Sequence, residues 1–201
     1  MDSKIRENCQ KHFKTHKATL IQNTDRYLAI DWRRSDGSGE YYVNYILDKK
    51  RGSLVVSGDL GNCIAIWYNA LDVTKLKSFV NDIGYFIKKF QCSTDKYVYD
   101  EKDIIADIHE IIKEKQIDLD EFIEDNDDQY DDVDDFWQTI ENEIYESHCG
   151  DTFLPTEHLI EIFSKIDADY YEWLYSCGQR TAPRVYLWAV GFQMACDQLG
   201  L

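Results

Sequence analysis

The sequence predicts an α+β protein: a four-stranded antiparallel β-meander with packed helices, followed by an acidic all-helical module. Three observations carry this. Between Tyr27 and Tyr68, short runs rich in Tyr, Val, Ile and Trp are separated by glycine-bearing turns. Beyond Asp100 that signature gives way to apolar residues at helical spacing. Charge is also divided unequally: residues 1–100 hold 16 Lys and Arg against 12 Asp and Glu, whereas residues 101–201 hold 6 against 26.

The elements follow in order. Asp2 to about Lys17 has Ile5, Cys9 and Phe13 near a spacing of four, a weakly amphipathic helix. Tyr27–Trp32, Tyr41–Leu47, Leu54–Val56 and Ile64–Tyr68 are the four strands. Asp36-Gly37-Ser38-Gly39, Asp48-Lys49-Lys50-Arg51-Gly52 and Gly58-Asp59-Leu60-Gly61-Asn62 are short enough for hairpins, with glycine where positive φ is needed. Asp72 can cap one long helix whose stripe is Val73, Leu76, Phe79, Val80, Ile83, Ile87 and Phe90.

In the second half, Ile104, Ile105, Ile108, Ile111 and Ile112 mark a helix, and Asp118 with Glu121 forms a capping-box pattern ahead of Leu119, Phe122 and Ile123. Val133, Phe136, Trp137, Ile140 and Ile144 mark the next helix, spanning Asp131 to His148. Pro155–Ile166, Asp169–Tyr175 and Pro183–Leu199 read as further helices, with each proline suited to a first turn. The reading divides the chain into 1–97 and 98–201, with the halves packed together, since no low-complexity linker separates them.

A chain of 201 residues that is 44% hydrophobic has enough apolar surface for a folded core. Its formal net charge of −16 disfavours direct binding to free DNA or to an anionic membrane. The polar start and the absence of a long apolar run predict a cytoplasmic protein with its six scattered cysteines reduced.

The acidity is concentrated. Between Lys115 and Lys165 there is no Lys or Arg, and 11 carboxylates fall within the 18 residues from Asp118 to Asp135: Asp118, Asp120, Glu121, Glu124, Asp125, Asp127, Asp128, Asp131, Asp132, Asp134 and Asp135. On a continuous helix these would span roughly 27 Å at one charge per ~2.5 Å, the order of duplex DNA at about 1.7 Å. A helix that serves solubility alone usually mixes signs, because like charges at i,i+4 repel. A DNA-phosphate-like binding surface is therefore the functional expectation.

Other chemistries fit less well. An EF-hand needs glycine at its sixth position and glutamate at its twelfth, but a register from Asp125 offers Tyr130 and Phe136, and one from Asp127 offers Asp132 and Gln138. His12 and His16 could share a helix face but lack nearby ligand partners. His148-Cys149 with His158 and Cys177 matches no zinc spacing or nucleophile pattern. Gly58–Asn62 lacks the Lys-Ser/Thr ending of a phosphate loop. Neither cofactor nor metal is expected. Lys49, Lys50 and Arg51 form a basic hairpin tip that is a solubilising turn, a contact to a partner's guide RNA or DNA, or a pairing site for the chain's own acidic half.

Residues Tyr41 to Asn69, YYVNYILDKKRGSLVVSGDLGNCIAIWYN, resemble uncharacterised proteins of bacterial prophages and other mobile elements. Small, strongly acidic phage products include anti-CRISPR and anti-restriction inhibitors that occupy the DNA-binding groove of a host nuclease. The resemblance implies a gene product acting in the host bacterial cytoplasm, and assigns no site residue. The net basic residues 1–100 depart from the all-acidic pattern of pure DNA mimics.

Together these give the functional expectation. The chain is a non-enzymatic inhibitor of a basic nucleic-acid-handling protein, such as an RNA-guided CRISPR nuclease with its guide RNA. The rivals are an interaction or scaffold module using exposed aromatics and a metal-dependent hydrolase.

Overall fold

In the computed structural model, which describes residues 1–126 and 129–201, eight α-helices and ten strands lie along the described chain. In order they are α1 (Ser3–His12), β1 (His16–Asn23), β2 (Tyr27–Arg34), β3 (Val43–Asp48), β4 (Ser53–Gly58), β5 (Cys63–Ile66), α2 (Val73–Asn81), α3 (Ile83–Ile87) and β6 (Phe90–Ser93). Then follow β7 (Tyr97–Tyr99), α4 (Glu101–Glu114), α5 (Leu119–Glu124), α6 (Val133–Glu146), β8 (His148–Cys149), β9 (Phe153–Leu154), α7 (Glu157–Ile166), β10 (Gln179–Thr181) and α8 (Pro183–Leu199). Two 3₁₀ turns, Tyr170–Glu172 and Leu174–Ser176, precede β10.

The chain forms two units: a sheet unit of Met1–Lys96 with Ala182–Leu201, and an acidic unit of Tyr97–Thr181. The last helix, which the sequence alone groups with the acidic half, thus belongs with the sheet. By unit the charge division sharpens, with 17 Lys and Arg against 12 Asp and Glu in the sheet unit and 5 against 26 in the acidic unit.

In the sheet unit the strands form a six-stranded antiparallel sheet in the order β1-β2-β3-β4-β5-β6, not the four-stranded sheet that the sequence pattern gives. The four expected strands are its centre, and they alternate because one face is covered. Leu28, Ile30 and Trp32 of β2, Val43, Tyr45 and Leu47 of β3, Leu54 and Val56 of β4 and Cys63 and Ala65 of β5 are buried, while their sequence neighbours are not. The two added strands are the edges. β1 buries only His16 in the pattern HKATLIQN, so it carries no alternation to read. Its backbone is tied at one end by Gln198 of α8, whose Oε1 accepts from Ala18 N–H and whose Nε2 donates to His16 O.

The long helix expected over residues 72–90 is broken. Asp72 does cap α2, accepting from Lys75 N–H at 2.7 Å, but Asp82 then accepts from Tyr85 N–H and starts α3. Phe90, expected on the helical stripe, instead begins β6 against β5. Helix α8 is buried over most of its length, and Gly191 lets it approach the sheet: a Cβ there would lie 2.6 Å from Tyr45 Oη. That hydroxyl donates to Trp188 O at 2.9 Å.

The acidic unit is not all-helical. Two small antiparallel pairs, β7 with β10 and β8 with β9, close it beside α4 to α7. Ile104, Ile108 and Ile112 of α4 join Phe136, Ile140 and Ile144 of α6 and Leu159 and Phe163 of α7 in one core. The expected helices in the isoleucine-rich segment, at 119–123 and at 133–144 all form. Residues 169–175, expected as a helix, hold the two 3₁₀ turns, and Thr156 rather than Pro155 starts α7, accepting from Leu159 N–H. Arg180 clamps β10 to α4 through both carboxylate oxygens of Asp107 at 2.9 and 2.8 Å.

Candidate functional site

The acidic run is built on α5 and α6. Asp118 caps α5, its Oδ1 accepting from Glu121 N–H at 3.1 Å, and Asp132 caps α6, its Oδ1 accepting from Asp135 N–H at 2.9 Å. Asp135 Oδ2 in turn accepts from Asp131 N–H at 3.2 Å. Asp120, Glu121 and Glu124 lie on α5, Asp125 is its C-terminal cap, and Asp134 and Asp135 occupy the first turn of α6. Asp127 and Asp128, the other two predicted members, lie outside the described residues.

The run is a corner rather than the straight ~27 Å rod of a continuous helix. Helix α5 ends at Glu124 and α6 begins at Val133, because the segment between offers no apolar stripe to continue either helix. Asn126 turns the chain. Its Nδ2 donates to Phe122 O at 2.7 Å, and its carbonyl accepts from Gln129 and Tyr130 N–H. Phe122 and Tyr130 each pack edge to face on Phe136, with Tyr130 and Phe136 centroids 5.3 Å apart.

All nine described carboxylates of the run are exposed. Three of them cap backbone N–H groups. The side chains of Asp120, Glu121, Glu124, Asp125, Asp131 and Asp134 make no hydrogen bond or ion pair among the described residues. Asp120, Glu124, Asp131, Asp132 and Asp134 rim an open cleft of about 630 Å³ floored by Ile123 and Val133. The negative potential registers on the buried neighbour Tyr130, whose hydroxyl pKa is pushed up by burial and then by Glu161, Asp135 and Glu143.

Three of the five cations of the acidic unit pair elsewhere. Lys115 reaches Asp167 at 2.8 Å, Lys165 reaches Glu161 at 3.1 Å, and Arg180 reaches Asp107 and Asp103. Asp167 also accepts from Trp173 Nε1 and Asp169 N–H, so its pKa is lowered to about 2, chiefly by Lys115. Glu143 of α6 is largely covered. It accepts from the Thr156 hydroxyl and pairs with His158 Nδ1 at 2.8 Å, which outweighs burial and holds its pKa low. Neither Glu143 nor Asp167 has a signal in one-dimensional spacing, because each partner arrives from a different helix or turn.

The histidine and cysteine constellations are dispersed. His12 ends α1 whereas His16 starts β1, so they do not share a helix face; His16 is buried and His12 packs at a tilt on Tyr41. His158 is occupied by Glu143, and burial pushes the Cys177 thiol up to about 12, leaving it a poor nucleophile. Among the described residues no group of three or more His, Cys, Asp or Glu could hold a metal ion. In the basic hairpin, Lys49 Nζ is engaged with Asn23 Oδ1 and Thr24 O, while Lys50 and Arg51 are exposed and donate their backbone N–H to Asp48.

No family model, curated protein or solved structure matches the chain. Among the described residues no helix is long and apolar enough to cross a membrane.

Proposed function

We propose that this chain is a non-enzymatic inhibitor that binds a basic nucleic-acid-handling protein through the α5–α6 corner, its carboxylates taking the place of DNA phosphates. An RNA-guided CRISPR nuclease with its guide is the partner this reading favours, in the bacterial-host context that the phage-protein resemblance implies. The observation that supports the reading is the set of six exposed carboxylates with no hydrogen-bond or ion-pair partner among the described residues, in a unit carrying 26 acids against 5 bases. Like charges left unpaired cost stability, and contact with a partner's Arg and Lys would relieve that cost through charge-assisted bonds. The corner shape suits a partner groove that follows a bent or kinked backbone rather than a straight duplex.

The test separates charge from fold. Asp120→Asn, Glu121→Gln, Glu124→Gln, Asp125→Asn, Asp131→Asn and Asp134→Asn are combined, leaving the capping Asp118, Asp132 and Asp135 intact. Target-DNA binding by a purified guide-loaded nuclease is then measured with wild type and variant at low and physiological salt. Inhibition by the wild type that weakens as salt rises, and at least tenfold less by the variant, is expected. Unchanged inhibition by the variant refutes the mimicry. Inhibition indifferent to salt but lost on Tyr171→Ala with Tyr175→Ala, both exposed, favours the aromatic interaction module. Stoichiometric metal in the purified protein favours the hydrolase.

A further inference from the structure

Among the described residues, His16 and Gln193 are the only buried polar side chains, and His16 is 3% exposed. It begins β1, three residues after Phe13, which caps α1, and the rings of Phe13 and Trp32 lie 4.9 and 5.5 Å from the imidazole. Its one side-chain hydrogen bond is at Nε2, 3.3 Å from Tyr41 O. A carbonyl only accepts, so Nε2 carries the proton and Nδ1 holds the lone pair. Nδ1 has no partner.

Neutral, the ring is a snug aromatic plug with one satisfied donor. Protonated, it acquires a second N–H at Nδ1, which has no hydrogen-bond partner, and a charge lodged against Phe13 and Trp32. The charged groups around it do not rescue that form. From β2, Arg34 is a like charge, while Asp36 and Glu40, which would attract the imidazolium, are engaged with Arg34. From α1, the His12 ring packs at a tilt on Tyr41, 5.0 Å between centroids. From the turn before β5, Asp59 accepts from Tyr41 N–H at 2.8 Å, and α8 presents only the neutral amide of Gln198. Burial first, and Arg34 after the opposing carbonyls of Tyr41 and Glu40, hold the imidazole pKa below its ordinary value of 6.5.

The place of this residue gives the charge change a mechanical outlet. β1 is an edge strand, paired with β2 alone, and its start is otherwise tied by the Gln198 amide. Tyr41, which accepts the imidazole bond, holds φ at +55°, a left-handed backbone uncommon for tyrosine. An edge element joined to a strained loop opens locally at lower cost than the centre of a sheet.

We infer that α1 and β1 form an acid-released latch, seated on the sheet by neutral His16 and released, with exposure of the β2 edge, when that imidazole is protonated. The latch is independent of the acidic corner. The sign is fixed: the group binds its proton more weakly folded than open, so the latch is fully closed above about pH 6.5 and loosens as pH falls below it.

The test is amide hydrogen exchange on the full chain at pH 7.5 and 5.5, corrected for the intrinsic pH dependence of exchange. Proton uptake on opening predicts a loss of β1 protection over that range, reaching about tenfold where the closed imidazole stays neutral throughout, with β3 and β4 amides unchanged. His16→Gln keeps a donor for Tyr41 O and cannot titrate, so its β1 protection is expected to be the same at both pH values. Equal losses in wild type and His16→Gln, or no loss in wild type, overturn the latch. Should the variant not fold, the wild-type imidazole titration followed by NMR decides: a midpoint below 6.5 supports the latch, and one at or above it overturns it.

Discussion

Neutralising Glu124 and Asp125 should make the acidic unit more stable and, on the function proposed above, weaken binding to a basic partner. On α5, Asp120 with Glu124 and Glu121 with Asp125 are like charges four apart, and Glu121 with Glu124 is a pair three apart. At about 0.2–0.5 kcal/mol each, these three repulsions cost roughly 0.6–1.5 kcal/mol. Both residues also place negative charge at the C-terminal end of a helix, against its dipole, adding about 0.3 kcal/mol apiece at the low end for so short an element. Glu124→Gln with Asp125→Asn should therefore stabilise the unit by about 1–2 kcal/mol in low salt. The gain should shrink in ~0.5 M salt, where the screening length falls to a few ångströms. Urea unfolding followed by far-ultraviolet circular dichroism reads this as a rise in midpoint of roughly 0.5–1 M. A variant that is no more stable than wild type in low salt, or whose gain survives high salt, would refute the claim that the corner stores unrelieved repulsion.

Two further outcomes follow from packing and pairing. Gly191→Ala should destabilise the sheet unit by about 1–2 kcal/mol, since overpacking against Tyr45 and Phe13 outweighs a helix-propensity gain near 1 kcal/mol; a higher urea midpoint would show that α8 has room to spare. Asp167→Asn should cost the acidic unit about 1–2 kcal/mol at neutral pH after allowance for solvent screening. Because the Asp167 pKa is lowered from 3.8 to about 2, its contribution is full above 3.8 and vanishes as pH falls through 2. Acid titrations of wild type and variant should converge near pH 2, and curves that stay parallel would contradict the Lys115 pairing.

The legibility of the fold depended on whether a local pattern had a local cause. β2 to β5 were readable because one covered face forces strict alternation, and α4, α5 and α6 because each buries a stripe at helical spacing beneath an aspartate cap. β1 left no signature because it buries only His16, so nothing along the strand demands apolar alternation. The break at Asp82 was hidden because Val73 to Phe90 satisfies a helical stripe whether or not one helix runs through it. For the candidate site, the composition of the acidic run was plain, but its bend at Asn126 was not, since the Phe122–Tyr130–Phe136 cluster forms only when α5 turns back toward α6.

What the sequence determined by itself is therefore the chemistry: a polar start, a β-rich segment, a helical segment, and a block of carboxylates without counter-ions. Tertiary structure decided which of those groups are free. It placed Pro183–Leu199 with the sheet, withdrew Glu143 and Asp167 into pairs with His158 and Lys115, and buried His16 with an unpartnered nitrogen. The reason is range. Residue type and helical or strand period act over a few positions, whereas burial and ion pairing depend on groups tens to more than a hundred residues apart, whose meeting no local spacing encodes.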